Sequence, residues 1–193
     1  RGLHPYYEAL VVRFAEAGFL TAGLDYFGRT AGIGDRGGDF DWKHHREQTT
    51  PDQIQADVAA TVEHLRTRSD GPVFAVGFCF GGSNSWRVAA SDIPVAGCIG
   101  FYGRPVAVAD VEAQLAKPML LLVAGADELT PLAESEAFAA RLSAQRTPYT
   151  MKVYEGAPHS FFDRAYADWA EACADAWGQI LAFTGALMGR GRD

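Results

Sequence analysis

Apolar positions along this chain switch between two periods, and the switches mark its elements. From Pro5 to Ala17 they recur every three to four residues, with Tyr6, Leu10, Val11 and Phe14 on one face and Gly18 as a stop; this predicts an amphipathic helix. Phe19 to Leu24 reads as a short strand that ends in Asp25-Tyr26-Phe27-Gly28-Arg29. Residues 28 to 50 are rich in glycine and charge without periodicity, and read as a long surface loop. The next helix has a clear start. Thr50 stands at the N-cap, Pro51 takes the first helical position and Gln53 completes a capping box, before a stripe of Ile54, Val58, Val62 and Leu65.

Short runs rich in β-formers follow at about 73–77, 95–101 and 118–124, and Tyr149 to Tyr154 makes a last strand. Helical patterns lie between and after them: Ser83 to Ala90, a segment from Thr130-Pro131 to about Gln145, and a long Ala- and Trp-rich stretch from about Asp163 to Leu187. Alternating strands and helices predict an α/β fold, a mostly parallel sheet with helices on both faces. No repeat or linker divides the chain, so residues 1–193 read as one domain.

Composition narrows the field. A chain of 193 residues suffices for one α/β domain, burying roughly 70% of its unfolded surface. A net charge of −7 without a basic cluster argues against nucleic acids and anionic membrane surfaces as partners. No apolar run approaches the roughly 20 residues a membrane span needs, and no signal peptide is visible. The three cysteines form neither a metal-type spacing nor a disulfide framework, which points to a reducing cytoplasm. Cys98 and Cys173 read as small buried apolar residues.

Cys79 is different. It sits in Gly77-Phe78-Cys79-Phe80-Gly81-Gly82, between a predicted strand and a predicted helix. Strand, glycine-flanked turn and helix are the context of a nucleophile elbow, here with Cys in place of Ser. The amide of Phe80 stands at the helix start, where an oxyanion would be bound. Asp127 and then His159 follow, each just past a predicted strand, in the order nucleophile, acid, histidine. Each has an ordinary reading alone: a buried thiol, a cap for the helix near Thr130, a loop histidine. Together, in order and at strand ends, they point to a relay. His44 and His45, with Asp39 and Asp41 nearby, form a poorly specified metal pattern and read better as a solvated loop. His64 reads as solvent-exposed; His4 reads as lining a pocket entrance, and Trp42 and Trp86 as either pocket lining or packing. No metal or cofactor is expected.

The elbow, Asp127 and His159 at these spacings, Asp25-Tyr26-Phe27-Gly28-Arg29 and Phe101-Tyr102-Gly103 together resemble the dienelactone hydrolase family over essentially the whole chain. The resemblance implies an α/β-hydrolase fold, a Cys79-Asp127-His159 triad, and opening of cyclic unsaturated lactones or hydrolysis of small esters without a cofactor. It further implies Arg29 as a holder of the substrate carboxylate. Tyr102, at the end of a predicted strand near the elbow, reads equally as core packing or as a substrate-binding contact. Two departures matter. Position 163 is Asp where the family carries a second arginine, which favours a broader esterase over a strict dienelactone enzyme. The segment Arg1 to Pro5 resembles the loop after the family's third strand, so the chain reads as N-terminally truncated, without that strand and one oxyanion-hole amide. An incomplete copy, a strand supplied by another chain in a domain-exchanged homodimer, and re-paired strands are the three open explanations. The expected partner is a small ester or lactone. The rivals are a catalytically silent binding or assembly domain and a redox-sensing thiol.

Overall fold

The computed structural model describes residues 2–189, and the chain divides into two compact units, Arg1–Gly71 and Pro72–Asp193.

The first unit is built on helices. α1 (Pro5–Glu16) buries Leu10 and Phe14, as its apolar stripe predicts. The ring Nδ1 of His4 accepts from the Tyr6 amide at 3.3 Å, so His4 acts as the N-cap of this helix. Residues 28–50 are more ordered than their composition suggests: they carry α2 (Gly28–Ala31) and α3 (Trp42–Glu47). The organiser is ionic. Arg36 is 4% exposed and donates from Nε to Asp25 Oδ2 at 2.9 Å and from Nη2 to the Gly32 carbonyl. A buried guanidinium held this way ties the loop to the segment before it. α4 (Pro51–Arg66) starts at the expected capping box: Gln53 N donates to Thr50 Oγ1 at 3.3 Å, and Thr50 N to Gln53 Oε1 at 3.0 Å. Ile54 and Val62 of its stripe are buried.

The expected strand at 19–24 does not form. No ladder runs along Phe19–Leu24 among the described residues. Alternating hydrophobicity is a condition for a strand, but the element exists only where a neighbour supplies backbone partners.

The second unit holds a four-stranded parallel sheet in the order β1 (Phe74–Phe78), β2 (Gly97–Phe101), β3 (Met119–Ala124) and β4 (Tyr149–Tyr154). β2 and β3 are buried along their whole length, as continuous apolar runs in a sheet covered on two faces should be. Two glycines of β2 identify the covers. Gly97 lies against Phe183 and Leu187 of α7 (Ala170–Gly189), and Gly100 against Trp86 of α5 (Phe80–Val88). Positions three apart on a strand face opposite sides, so α5 and α7 pack on opposite faces. α6 (Leu132–Ala144) joins the α5 side, its Phe138 ring 5.3 Å from Trp86. This is the expected α/β class, with a mostly parallel sheet and helices on both faces.

The C-terminal helix starts seven residues later than its composition suggests, at Ala170 rather than Asp163. The Ser160 carbonyl accepts the amides of Asp163 (3.2 Å), Arg164 (2.9 Å) and Ala165 (3.3 Å), which closes a run of turns instead. Among the described residues no helix is long and apolar enough to cross a membrane.

Candidate active site

β1 ends in a turn that puts Cys79 at φ 53 and ψ −112. A residue with a Cβ pays on the order of 1–3 kcal/mol for such a backbone, and the surroundings enforce it. A Cβ at Gly77 would fall 1.9 Å from the Gly81 carbonyl oxygen, and one at Gly82 2.5 Å from the Phe101 carbonyl oxygen. The Cys79 amide donates to the Phe101 carbonyl at 3.0 Å, which ties the turn to the end of β2. The chain then enters α5 at Phe80, whose amide belongs to the positive end of that helix.

The loops after β3 and β4 are stitched together. Gly125 N donates to the Tyr154 carbonyl at 2.8 Å and Ala126 N to the Ala157 carbonyl at 2.9 Å. That pairing carries Asp127 and His159 to the same rim as Cys79. His159 Nε2 lies 2.9 Å from Cys79 Sγ, and its Nδ1 lies 2.7 Å from Asp127 Oδ2. The Asp127 side chain is 2% exposed and that of His159 15%. The other Asp127 oxygen, Oδ1, accepts the amides of Leu129 at 2.8 Å and Thr130 at 3.2 Å. One carboxylate therefore closes its own turn and holds the imidazole. Asp127 stands five residues ahead of α6, and its bonds to the amides two and three residues on are those of an Asx turn, which Asp favours by its short side chain.

Electrostatics follow from this packing. Burial pushes His159 down, but the hydrogen bond and charge of Cys79, then those of Asp127, outweigh it and raise His159 from 6.5 to about 9. A carboxylate only accepts, so Nδ1–H donates to Asp127, which leaves Nε2 to accept the thiol proton in the neutral ring or to donate to a thiolate in the charged one. Both partners favour the protonated ring over the neutral one.

Around the relay stands an aromatic cluster. Phe78 stacks on Phe101 at 4.7 Å and on Phe162 at 5.6 Å. The Tyr102 ring lies 5.0 Å from the His159 imidazole and is 2% exposed.

The remaining sequence candidates have partners of their own. Arg29 is in α2 of the first unit, its Nε donating to Asp57 Oδ1 at 3.0 Å and its Nη2 to the same oxygen at 2.5 Å. Asp163 accepts the Arg164 amide at 2.7 Å, while the Arg164 side chain is exposed. His44 pairs with Gln48 at 2.8 Å; His45 pairs with Thr30 at 2.9 Å and stacks on Phe40. Among the described residues no group of three or more His, Cys, Asp or Glu side chains could hold a metal ion. Cys98 and Cys173 are buried, and burial pushes the Cys98 thiol up to about 12.

Known proteins resemble this chain in fold and in sequence. A crystal structure titled as a putative dienelactone hydrolase from Klebsiella pneumoniae superposes with a TM-score of 0.82 at 24% identity, covering 95% of this chain and 82% of that one. A "Putative carboxymethylenebutenolidase" of Saccharolobus solfataricus is 29% identical over 137 residues, 70% of this chain. One of the same name from Yersinia pestis is 26% identical over 194 residues, 93% of this chain. The chain spans about half (52%) of the Saccharolobus protein and 72% of the Yersinia protein. The sequence model of the dienelactone hydrolase family matches residues 1–188, nearly the entire length, and the chain belongs to that family.

Proposed function

We propose that the chain hydrolyses small carboxylic esters or lactones, with Cys79 as nucleophile, His159 as proton carrier and Asp127 as its anchor. The observation that carries this reading is the continuous pair of short contacts from Sγ through the imidazole to a buried carboxylate, 2.9 and 2.7 Å. A thiol needs little activation, and an adjacent imidazolium favours its thiolate.

In this reading the Cys79 thiolate attacks the ester carbonyl carbon, and the carbonyl π electrons move onto oxygen. The Phe80 amide binds that oxyanion; the loss of such a donor typically costs about 3 kcal/mol of barrier. Collapse expels the alkoxide, which takes the Nε2 proton of His159 and leaves a thioester on Cys79. His159, now neutral, takes a proton from water as the water oxygen attacks the thioester. The acid product leaves, and the thiolate–imidazolium pair is restored. Asp127 keeps Nδ1 protonated throughout.

Arg29 enters the proposal as a substrate-binding cation already matched by the Asp57 carboxylate. With Asp in place of Arg at position 163, the reading favours neutral esters over anionic dienelactones. The test is turnover of 4-nitrophenyl acetate. The wild-type protein should release 4-nitrophenolate, and Cys79→Ala, folded by circular dichroism, should fall to the uncatalysed rate. Equal rates from the two proteins would remove the enzyme reading and favour a silent binding domain.

A further inference from the structure

Two hydrogen bonds on opposite ring nitrogens do not by themselves fix an imidazole. They pin it along the line from Asp127 Oδ2 to Cys79 Sγ, and resistance to rocking about that line comes from the Cβ tether and from packing on the ring. Something must press on its face.

Tyr102 is the residue in place to do so, and its backbone is unusual. It stands at φ 35, in the left-handed region that a bulky side chain rarely adopts. The residues on either side hold it there. The Phe101 carbonyl before it accepts the Cys79 amide at 3.0 Å, and the Tyr102 amide donates to the Leu122 carbonyl at 2.8 Å. Gly103 after it is so close to Trp86 and the Ser83 amide that a Cβ there would meet the indole at 2.8 Å. Strain sustained by its surroundings at such a place is a sign of use. The ring is set 5.0 Å from the His159 imidazole with planes 57° apart, and 5.7 Å from Phe161 behind it. At 2% exposure the ring is packed among its neighbours, in line with the core-packing reading of this residue.

We propose that Tyr102 is a positioning residue: its ring holds the His159 imidazole in the orientation that reaches Cys79 Sγ and Asp127 Oδ2 together, and so maintains the thiolate–imidazolium pair. This rests on the relay reading above. The groups facing His159 are Cys79 from the β1–α5 turn, Asp127 from the β3–α6 loop and Tyr102 from the end of β2. The ring acts by its tilted packing against the imidazole, which Tyr102→Phe keeps.

The test compares Tyr102→Leu, Tyr102→Met and Tyr102→Phe. One readout is the rate of Cys79 alkylation by iodoacetamide against pH, which needs no ester turnover; the other is kcat and KM on 4-nitrophenyl acetate. Tyr102→Leu should lower kcat about 10- to 100-fold at unchanged KM, as loss of alignment does. Its alkylation at pH 6 should fall several-fold, with the acid limb moving up by about half a pH unit. Tyr102→Phe should restore most of both losses. If Leu prevents folding, Met, unbranched and able to fill irregular space without a flat ring, carries the same expectation. A rise in KM alone, a Phe variant as impaired as Leu, or alkylation profiles unchanged in Leu and Met would each overturn the proposal. If the wild type turns over no ester, the functional reading fails, while the alkylation profiles still decide the role of Tyr102.

Discussion

Asp127→Asn separates the relay from its packing. The substitution keeps the shape of a side chain that is 2% exposed, and Oδ1 can still accept the Leu129 and Thr130 amides. What changes is the atom facing His159 Nδ1, 2.7 Å away: an acceptor becomes a donor. Nδ1 must then be the bare nitrogen, and the neutral ring carries its one proton on Nε2, aimed at sulfur. In that tautomer His159 cannot take a proton from the attacking water. A hydrogen bond to a charged group contributes roughly 1.5–3 kcal/mol, about 10- to 150-fold in rate. In serine protease triads the tautomer reversal brings the whole loss to about 10⁴-fold. We expect kcat/KM on 4-nitrophenyl acetate at pH 7.5 to fall by about 10² to 10⁴, with the thermal midpoint nearly unchanged. The His159 resonances should titrate well below the value of about 9 set by both partners. Activity within threefold of wild type, with His159 still titrating near 9, would refute the role given to Asp127.

Three further predictions follow from the same coordinates. His159 goes from 6.5 to about 9 on folding, so its contribution to stability, roughly 3 kcal/mol, is complete below pH 6.5 and lost as pH rises through 9. Urea unfolding at pH 6 and pH 9.5 should show that fall in wild type and not in His159→Gln. Gly77→Ala places its Cβ 1.9 Å from a carbonyl oxygen whereas Gly81→Ala meets nothing within 4 Å; the first should cost about 3 kcal/mol or more, roughly 10 °C in thermal midpoint, and the second nothing. Cys79→Ser keeps a nucleophile but one far harder to ionise, so kcat should drop on the order of 100-fold; an unchanged rate would undo the thiolate argument.

The parts of the fold easiest to read were those where local chemistry and tertiary need coincide. The glycines around Cys79 are legible because only a residue without a Cβ fits against the Gly81 and Phe101 carbonyls. The helix at Pro51 is legible because Thr50 and Gln53 close its first turn by themselves. Asp127 and His159 show through their positions just past apolar strands, although the stitch that unites them, Ala126 N to the Ala157 carbonyl, is backbone-only and leaves no sequence mark. Phe19–Leu24 misled because a strand depends on a partner that its own residues do not encode. Residues 28–50 misled because the contacts that order them join residues far apart in sequence: Arg36 with Asp25, Arg29 with Asp57 and His45 with Thr30. Tyr102 was noticed for its type, yet its backbone angle and burial, which decide what it does, arise only in three dimensions.

The account rests on a bond that has to form at sulfur 79. Rapid acid quench of the protein during its first turnovers of 4-nitrophenyl acetate, followed by mass spectrometry of its peptides, looks for that bond directly. The account predicts one added acetyl group on the peptide that carries Cys79, removable by hydroxylamine and absent from Cys79→Ala. Sustained turnover with the acetyl group on another residue, or with Cys79 never modified, would contradict it.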